Sequence, residues 1–239
     1  MSKHDRIELV TSFIFNIQNK KQFLKGDLNV QGHFITVEGG EGSGKTTVLN
    51  FVYKELSALG YNVLVTREPG GIPIAEEIRE VILDPNNIKM EKRTEALLYA
   101  AARRQHLIEV INPALERGQV VLCDRFIDSS LVYQGHARGI GMNEIMEINR
   151  FAIGDVFPEL TLFFDIEPEL GLARIEKNKQ REKNRLDLEE ITFHNQVYEG
   201  YQLLLNKYPK RIKRIDANKA INEVVTETIE KILIKLKEE

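Results

Sequence analysis

The sequence predicts an α/β domain in which a five-stranded parallel sheet carries helices on both faces. Three observations predict it. From His33 onward, short apolar runs alternate with longer segments of helical periodicity, the pattern of strand–helix crossovers. One junction, Val37-Glu38-Gly39-Gly40-Glu41-Gly42-Ser43-Gly44-Lys45-Thr46-Thr47, sets a glycine-rich loop between an alternating apolar run and a helical one. No internal repeat or low-complexity linker interrupts the pattern, so residues 33–239 read as one domain and 1–32 as an extension.

Within the extension, Ile7, Val10, Ile14 and Ile17 have helical spacing, and Asn19-Lys20-Lys21 and Gly26-Asp27 look like a stop and a turn. No function is assigned to it. The first strand, Phe34–Glu38, leads into a loop that matches G-x-x-x-x-G-K-[ST] through Gly39, Gly44, Lys45 and Thr46. That order of strand, loop and helix specifies the three-layer P-loop NTPase fold. Glycines at 39, 40, 42 and 44 bring consecutive N–H groups close to an anion, and the positive end of a helix near 44–59 points at the same spot. The backbone of Gly39, Gly40, Glu41, Gly42, Ser43, Gly44, Lys45, Thr46 and Thr47 is therefore expected to cradle a chain of phosphates. Lys45 would reach the β/γ-phosphates, and the Thr46 hydroxyl would complete the shell of a Mg²⁺ ion.

The second strand, Asn62–Thr66, ends in Arg67-Glu68-Pro69-Gly70-Gly71, an ion-pairable doublet before a turn. Helices follow near 74–83 and 91–117. On the latter, Tyr99 and Arg103 are four apart and share a face, fit to stack a base and bond its edge or to serve as a core ring and a solvated charge. The third strand, Val120–Cys123, ends in Asp124-Arg125-Phe126. In a parallel sheet the carboxyl ends of strands meet at one crevice, so Lys45, Arg67, Glu68, Asp124 and Arg125 converge there, a set suited to phosphates and a metal. The plainer alternatives are a surface Arg67–Glu68 ion pair and an Asp124–Arg125 salt bridge or helix cap.

Helices near 126–135 and 142–153, a strand at Leu160–Phe164 and a helix near 168–177 come next. Residues 174–187 are dense in charge, either a solvated face or a lid bringing an arginine to the transferred group. A helix near 188–206, a strand at Ile212–Asp216 and a helix near 220–237 complete the domain.

Composition narrows the function. At 42% hydrophobic and 29% charged residues the chain has the make-up of a soluble globular protein. No apolar run nears the ~20 residues of a membrane span, and the N-terminus has no secretory signal, which predicts a cytoplasmic protein with no membrane partner. A net charge of −3 argues against nucleic acid as a partner. Cys123, the single cysteine, permits no internal disulfide and reads as a small buried hydrophobe.

In order and spacing, the phosphate loop, Thr66-Arg67-Glu68-Pro69-Gly70-Gly71, Asp124-Arg125-Phe126 and Ser129-Ser130-Leu131-Val132-Tyr133-Gln134-Gly135 resemble bacterial thymidylate kinases, over residues 33–237. The resemblance implies transfer of the ATP γ-phosphoryl to dTMP, giving dTDP for dTTP synthesis, with Mg²⁺, in a homodimer. It implies that Arg67, Glu68, Arg79 and Arg125 handle the dTMP phosphate and the metal-bound water, with Asp124 and Glu41 in the same cluster. Tyr99 stands where the family stacks a phenylalanine on thymine, and Arg103 where an arginine bonds the base edge. Ser130 and Gln134 match further base contacts, and Tyr133 matches a ring beside the deoxyribose. The family carries its catalytic arginine in the phosphate loop or in the lid. Gly42 holds the loop position here, so the resemblance assigns that role to Arg181, with Lys177 and Arg185 as lesser candidates. Another nucleotide kinase and a nucleotide-binding switch remain the rival readings. The helices near 44–59, 91–117 and 142–153 are candidates for the dimer surface.

Overall fold

Strand β1 (His33–Glu38) lies at the centre of a five-stranded sheet and is flanked by β3 (Val120–Asp124) and β4 (Leu160–Asp165). β2 (Val63–Arg67) and β5 (Ile212–Asp216) form the edges, in the order β2-β3-β1-β4-β5, and every pairing is parallel. The structure, a computed structural model, describes residues 32–177 and 185–238. The extension up to residue 31, Arg181 with its neighbours in 178–184, and the side chain of Asp187 lie outside the described residues.

Alternation along the strands builds two cores. Ile35 and Val37 point to one face with Leu122, Leu162 and Phe164, where Val48, Leu49, Val52 and Leu56 of helix α1 (Lys45–Ala58) and Val224, Ile232 and Leu233 of α9 (Ile221–Lys235) cover them. Phe34, Val121, Cys123 and Phe163 point to the other face, beneath α3 (Lys92–His106), α5 (Ile127–Ser130), α6 (Met142–Ile153) and α8 (Ile191–Lys207). Helix α2 (Pro73–Leu83) packs on α3 through Ala75 and Ala102. Pairing of Val37 and Arg67 with Asp124 brings three strand ends to one level, which fixes where the site sits.

Two expected helices differ in detail. The segment near 91–117 is α3, then a π-helical stretch Leu107–Ile111, then α4 (Asn112–Glu116). Pro113 has no N–H and its ring crowds the carbonyl four residues back, so the backbone widens there and the Asn112 N–H reaches Leu107 O. The segment near 126–135 is α5 followed by π-helical turns over Leu131–Ala137, which carry Tyr133 and Gln134. Helix α7 (Pro168–Lys177) follows β4.

Candidate active site

The phosphate loop turns between β1 and α1 with Gly39, Gly42 and Gly44 at positive φ. A Cβ on Gly42 would lie 2.0 Å from the Gly171 carbonyl oxygen of α7, so the loop and that helix meet backbone to backbone. This contact leaves no room for an arginine side chain at 42. The Lys45 ammonium donates to Gly39 O (3.1 Å), Gly40 O (2.9 Å) and Ser43 Oγ (3.1 Å), which holds it across the loop. Burial, and then the charge of Arg125, push its pKa down to about 8. Thr46 at the head of α1 donates from Oγ1 to Asp124 Oδ2 at 2.9 Å.

Opposite the loop stands a group of arginines. Arg67 and Arg79 both donate to the Pro69 carbonyl, at 2.8 and 3.1 Å, and Arg67 also pairs with Glu76 at 2.6 Å. Burial, then the neighbouring charge of Arg67, lower the pKa of Arg79. Arg125 follows β3 at φ 70, a left-handed conformation that costs a non-glycine residue about 1–2 kcal/mol. In return its guanidinium reaches Glu41 (2.7 Å) and Ser129 (3.1 Å) and lies 5.0 Å from the centre of the Tyr133 ring. Tyr133 donates its hydroxyl proton to the same Glu41 oxygen at 3.1 Å.

Loop and arginines face each other across a cleft of about 580 Å³, the size that encloses small ligands. Tyr99, Arg103, Ser130, Tyr133 and Gln134 also line it, so every sequence-derived position among the described residues borders one space, except the loop glycines at 39 and 40 and the lesser catalytic candidates Lys177 and Arg185. Those two glycines sit behind Lys45, as its acceptors.

Two of these residues are placed differently from expectation. Glu68 borders the cleft but is engaged within the protein: its carboxylate is 3% exposed, receives Arg103 Nε at 2.7 Å and faces His106 Nδ1 at 3.0 Å. Arg103 is 2% exposed and engaged on all three nitrogens, by Glu68, Ser130, Asn149 and the Phe126 carbonyl. With those bonds made, one Nη2 N–H remains for a ligand. The pair is buried framework first, since a desolvated guanidinium must spend its donors on protein acceptors. Arg185 is likewise tied down, to Glu95 and to Ile82 O at 2.9 Å, so it does not face the loop.

Sequence reasoning passed over three buried carboxylates, Glu38, Glu95 and Asp128, of which the first two brace the site. Glu38 is 0% exposed and accepts from Phe126 N (2.7 Å), Ser129 Oγ (2.6 Å) and Tyr201 OH (2.9 Å), anchoring the turn that carries Arg125. Burial, with the charge of Asp128 behind it, pushes its pKa up to about 7. A glutamate ending an otherwise apolar strand was the available signal. Glu95, one turn before Tyr99 on α3, is 1% exposed and carried no such signal.

Among the described residues no cluster of three or more His, Cys, Asp or Glu could cage a metal, and no helix is long and apolar enough to cross a membrane. A magnesium site needs no such cage, because one or two protein oxygens and the substrate phosphates suffice. Thr46 Oγ1 and Asp124 Oδ2, adjacent in the cleft lining, are donors of that kind.

A family model described as thymidylate kinase matches residues 37–228. The thymidylate kinase of Oceanobacillus iheyensis is 61% identical over 83% of this chain and 88% of its own length. That of Shouchella clausii is 59% identical over 84% of this chain and 95% of its own. Among solved structures, thymidylate kinase from Ehrlichia chaffeensis superposes with a TM-score of 0.68 at 32% identity, covering 85% of this chain and 99% of that one.

Proposed function

The chain belongs to the thymidylate kinase family and phosphorylates dTMP to dTDP with ATP, and from that premise we propose how its cleft divides the work. The phosphate loop, Lys45 and Thr46 take the ATP triphosphate. Arg67, Arg79 and Arg125 take the dTMP phosphate, Tyr99 stacks the base, and Ser130 and Gln134 meet its edge. The observation that carries this assignment is that the glycine loop and three guanidinium groups, Arg67, Arg79 and Arg125, border one cleft. A dianion between them relieves the repulsion that the arginines otherwise bear.

The second ionisation of a phosphate monoester lies near pH ~6, so the acceptor oxygen is already anionic at neutral pH and no general base is required. Catalysis is then in-line positioning and neutralisation of charge on the transferred group, by Lys45, Arg125 and Arg181. Mg²⁺, held by Thr46 and by Asp124 directly or through water, supplies further neutralisation when bound. Glu41 steadies Arg125 and Tyr133, and Tyr133 is assigned the place beside the deoxyribose, against a 2′-hydroxyl. Glu68 acts through Arg103.

A homodimer is also part of this reading. Leu97 on α3, Ile108 in the stretch that continues it, and Phe151 on the neighbouring α6 are 57%, 44% and 94% exposed, an apolar display that supports pairing of this face.

Initial rates with ATP and Mg²⁺ on a panel of dTMP, dCMP, dGMP and AMP test the assignment. dTMP is expected to give the highest kcat/KM, and faster turnover of dGMP or AMP would overturn the acceptor pocket.

A further inference from the structure

Glu95, Tyr99 and Arg103 recur every fourth residue on α3 and so lie along one face of it, yet Glu95 itself is sealed from solvent beneath the cleft. Four donors from three residues converge on it. Gln134 Nε2 donates to Oε1 at 2.9 Å, Arg138 reaches both oxygens at 3.4 Å, and Arg185 Nη2 donates to Oε2. The arginines are held from behind in turn, Arg138 by Glu189 and by the Phe193 ring 4.3 Å away, and Arg185 by Ile82 O at 2.9 Å.

An amide side chain can present either end, and only its partners decide which. A carboxylate flanked by two guanidinium groups offers acceptors alone, so it takes the nitrogen end of Gln134. Burial works to raise the Glu95 pKa, but Arg138, Gln134 and Arg185 hold it below the ordinary carboxylate value, which keeps it ionised at neutral pH. Gln134 lines the cleft, and with one Nε2 N–H given to Glu95 the amide keeps a second N–H and Oε1, its one acceptor for a ligand.

We infer that Glu95 is the positioning residue for base choice, fixing Gln134 so that it shows an acceptor to the base edge. An acceptor there matches the N3–H of a thymine or uracil imide. It opposes the N3 lone pair of cytosine, an acceptor facing an acceptor. The remaining Arg103 N–H and the Ser130 hydroxyl, which already accepts from Arg103 Nη1 at 2.9 Å and is free to donate, suit the flanking carbonyls. Glu95 thus sets selectivity without touching substrate.

The inference rests on the dTMP kinase reading, and the test separates the two. Wild-type kcat/KM for dTMP against the other monophosphates judges the reading. The ratio of kcat/KM for dTMP to that for dCMP judges Glu95. In Glu95→Gln the new side chain can donate as well as accept, so Gln134 is free to turn over, and the ratio is expected to fall by about tenfold or more, the worth of one ligand hydrogen bond. Glu95→Asp keeps an acceptor-only partner and is expected to keep the ratio within about threefold, even if both rates drop. The charge-balanced pair Glu95→Gln/Arg138→Gln avoids stranding a guanidinium, so it serves if the single variant does not fold, and Arg138→Gln alone is its control. A merely structural role lowers both rates together. A wild-type ratio in the folded Gln variants, with dTMP still the preferred acceptor of the wild type, would overturn the inference and leave the activity standing.

Discussion

Replacing Gly42 by alanine puts a methyl group where the fold has a carbonyl. The added Cβ would lie 2.0 Å from Gly171 O and 2.6 Å from Gly171 C, both backbone atoms of α7, at a φ of +69°. No rotamer change relieves this. Opening the contact to ~3 Å moves the loop or the helix by ~1 Å, and forced packing of this kind costs roughly 1–3 kcal/mol. The left-handed backbone adds about 1–2 kcal/mol for any side chain. Together these come to ~2–5 kcal/mol, a fall in Tm of about 4–20 °C for a chain of this size. Loop amides displaced by ~1 Å also misplace the triphosphate, and kcat/KM for ATP is expected to drop by about 10²-fold. Gly40→Ala is the internal control for stability, since a Cβ there meets nothing within 4 Å. Thermal melts and ATP saturation curves on both variants are the assay. A Gly42→Ala protein that melts and turns over like the wild type would refute the claim that the loop is seated on α7.

Three further outcomes are expected. Lys45 must be charged to hold a triphosphate, and its pKa in the free enzyme is about 8, so kcat/KM for ATP should be sustained below that pH and decline as pH rises through it; a profile flat to the ordinary lysine range would contradict the depressed value. Arg103→Met should cost roughly 3–5 kcal/mol in a denaturant titration, because Glu68 is then left charged and buried without its main partner; a loss confined to dTMP affinity would make Arg103 a substrate contact rather than framework. Arg181→Ala should lower kcat by a large factor with KM for dTMP little changed, the pattern of an interaction made in the transition state; an unchanged kcat would shift that role to Lys177, since Arg185 is committed to Glu95.

What the sequence disclosed follows from its local grammar. A glycine loop between strand and helix, with charged residues directly after apolar strands, places Lys45, Arg67, Asp124 and Arg125 at one sheet edge once the strands are taken as parallel. What it hid depends on partners far along the chain. Glu68 and Arg103 are 35 residues apart and Glu95 and Arg185 are 90 apart, so nothing local marked either pair as buried. Charge alone reads as solvated, and for that reason Arg185 looked like part of the charged 174–187 run and the burial of Arg103 against Glu68 was not legible. Glu38 shares the strand face of Phe34 and Thr36, so its direction was legible although its burial was not. The π-helical stretch at Leu107–Ile111 had a marker in Pro113, whereas the one carrying Tyr133 and Gln134 had none.

The central claim is a placement, with the acceptor phosphate among arginines and its base over α3, and a crystal structure with dTMP and a non-hydrolysable ATP analogue tests it most directly. The account predicts the dTMP phosphate within hydrogen-bond reach of Arg67, Arg79 or Arg125, thymine stacked on Tyr99 with its imide at Gln134, and the analogue's phosphates on the loop at Lys45. A dTMP molecule bound with its phosphate on the glycine loop, or with its base away from Tyr99 and Gln134, would contradict it.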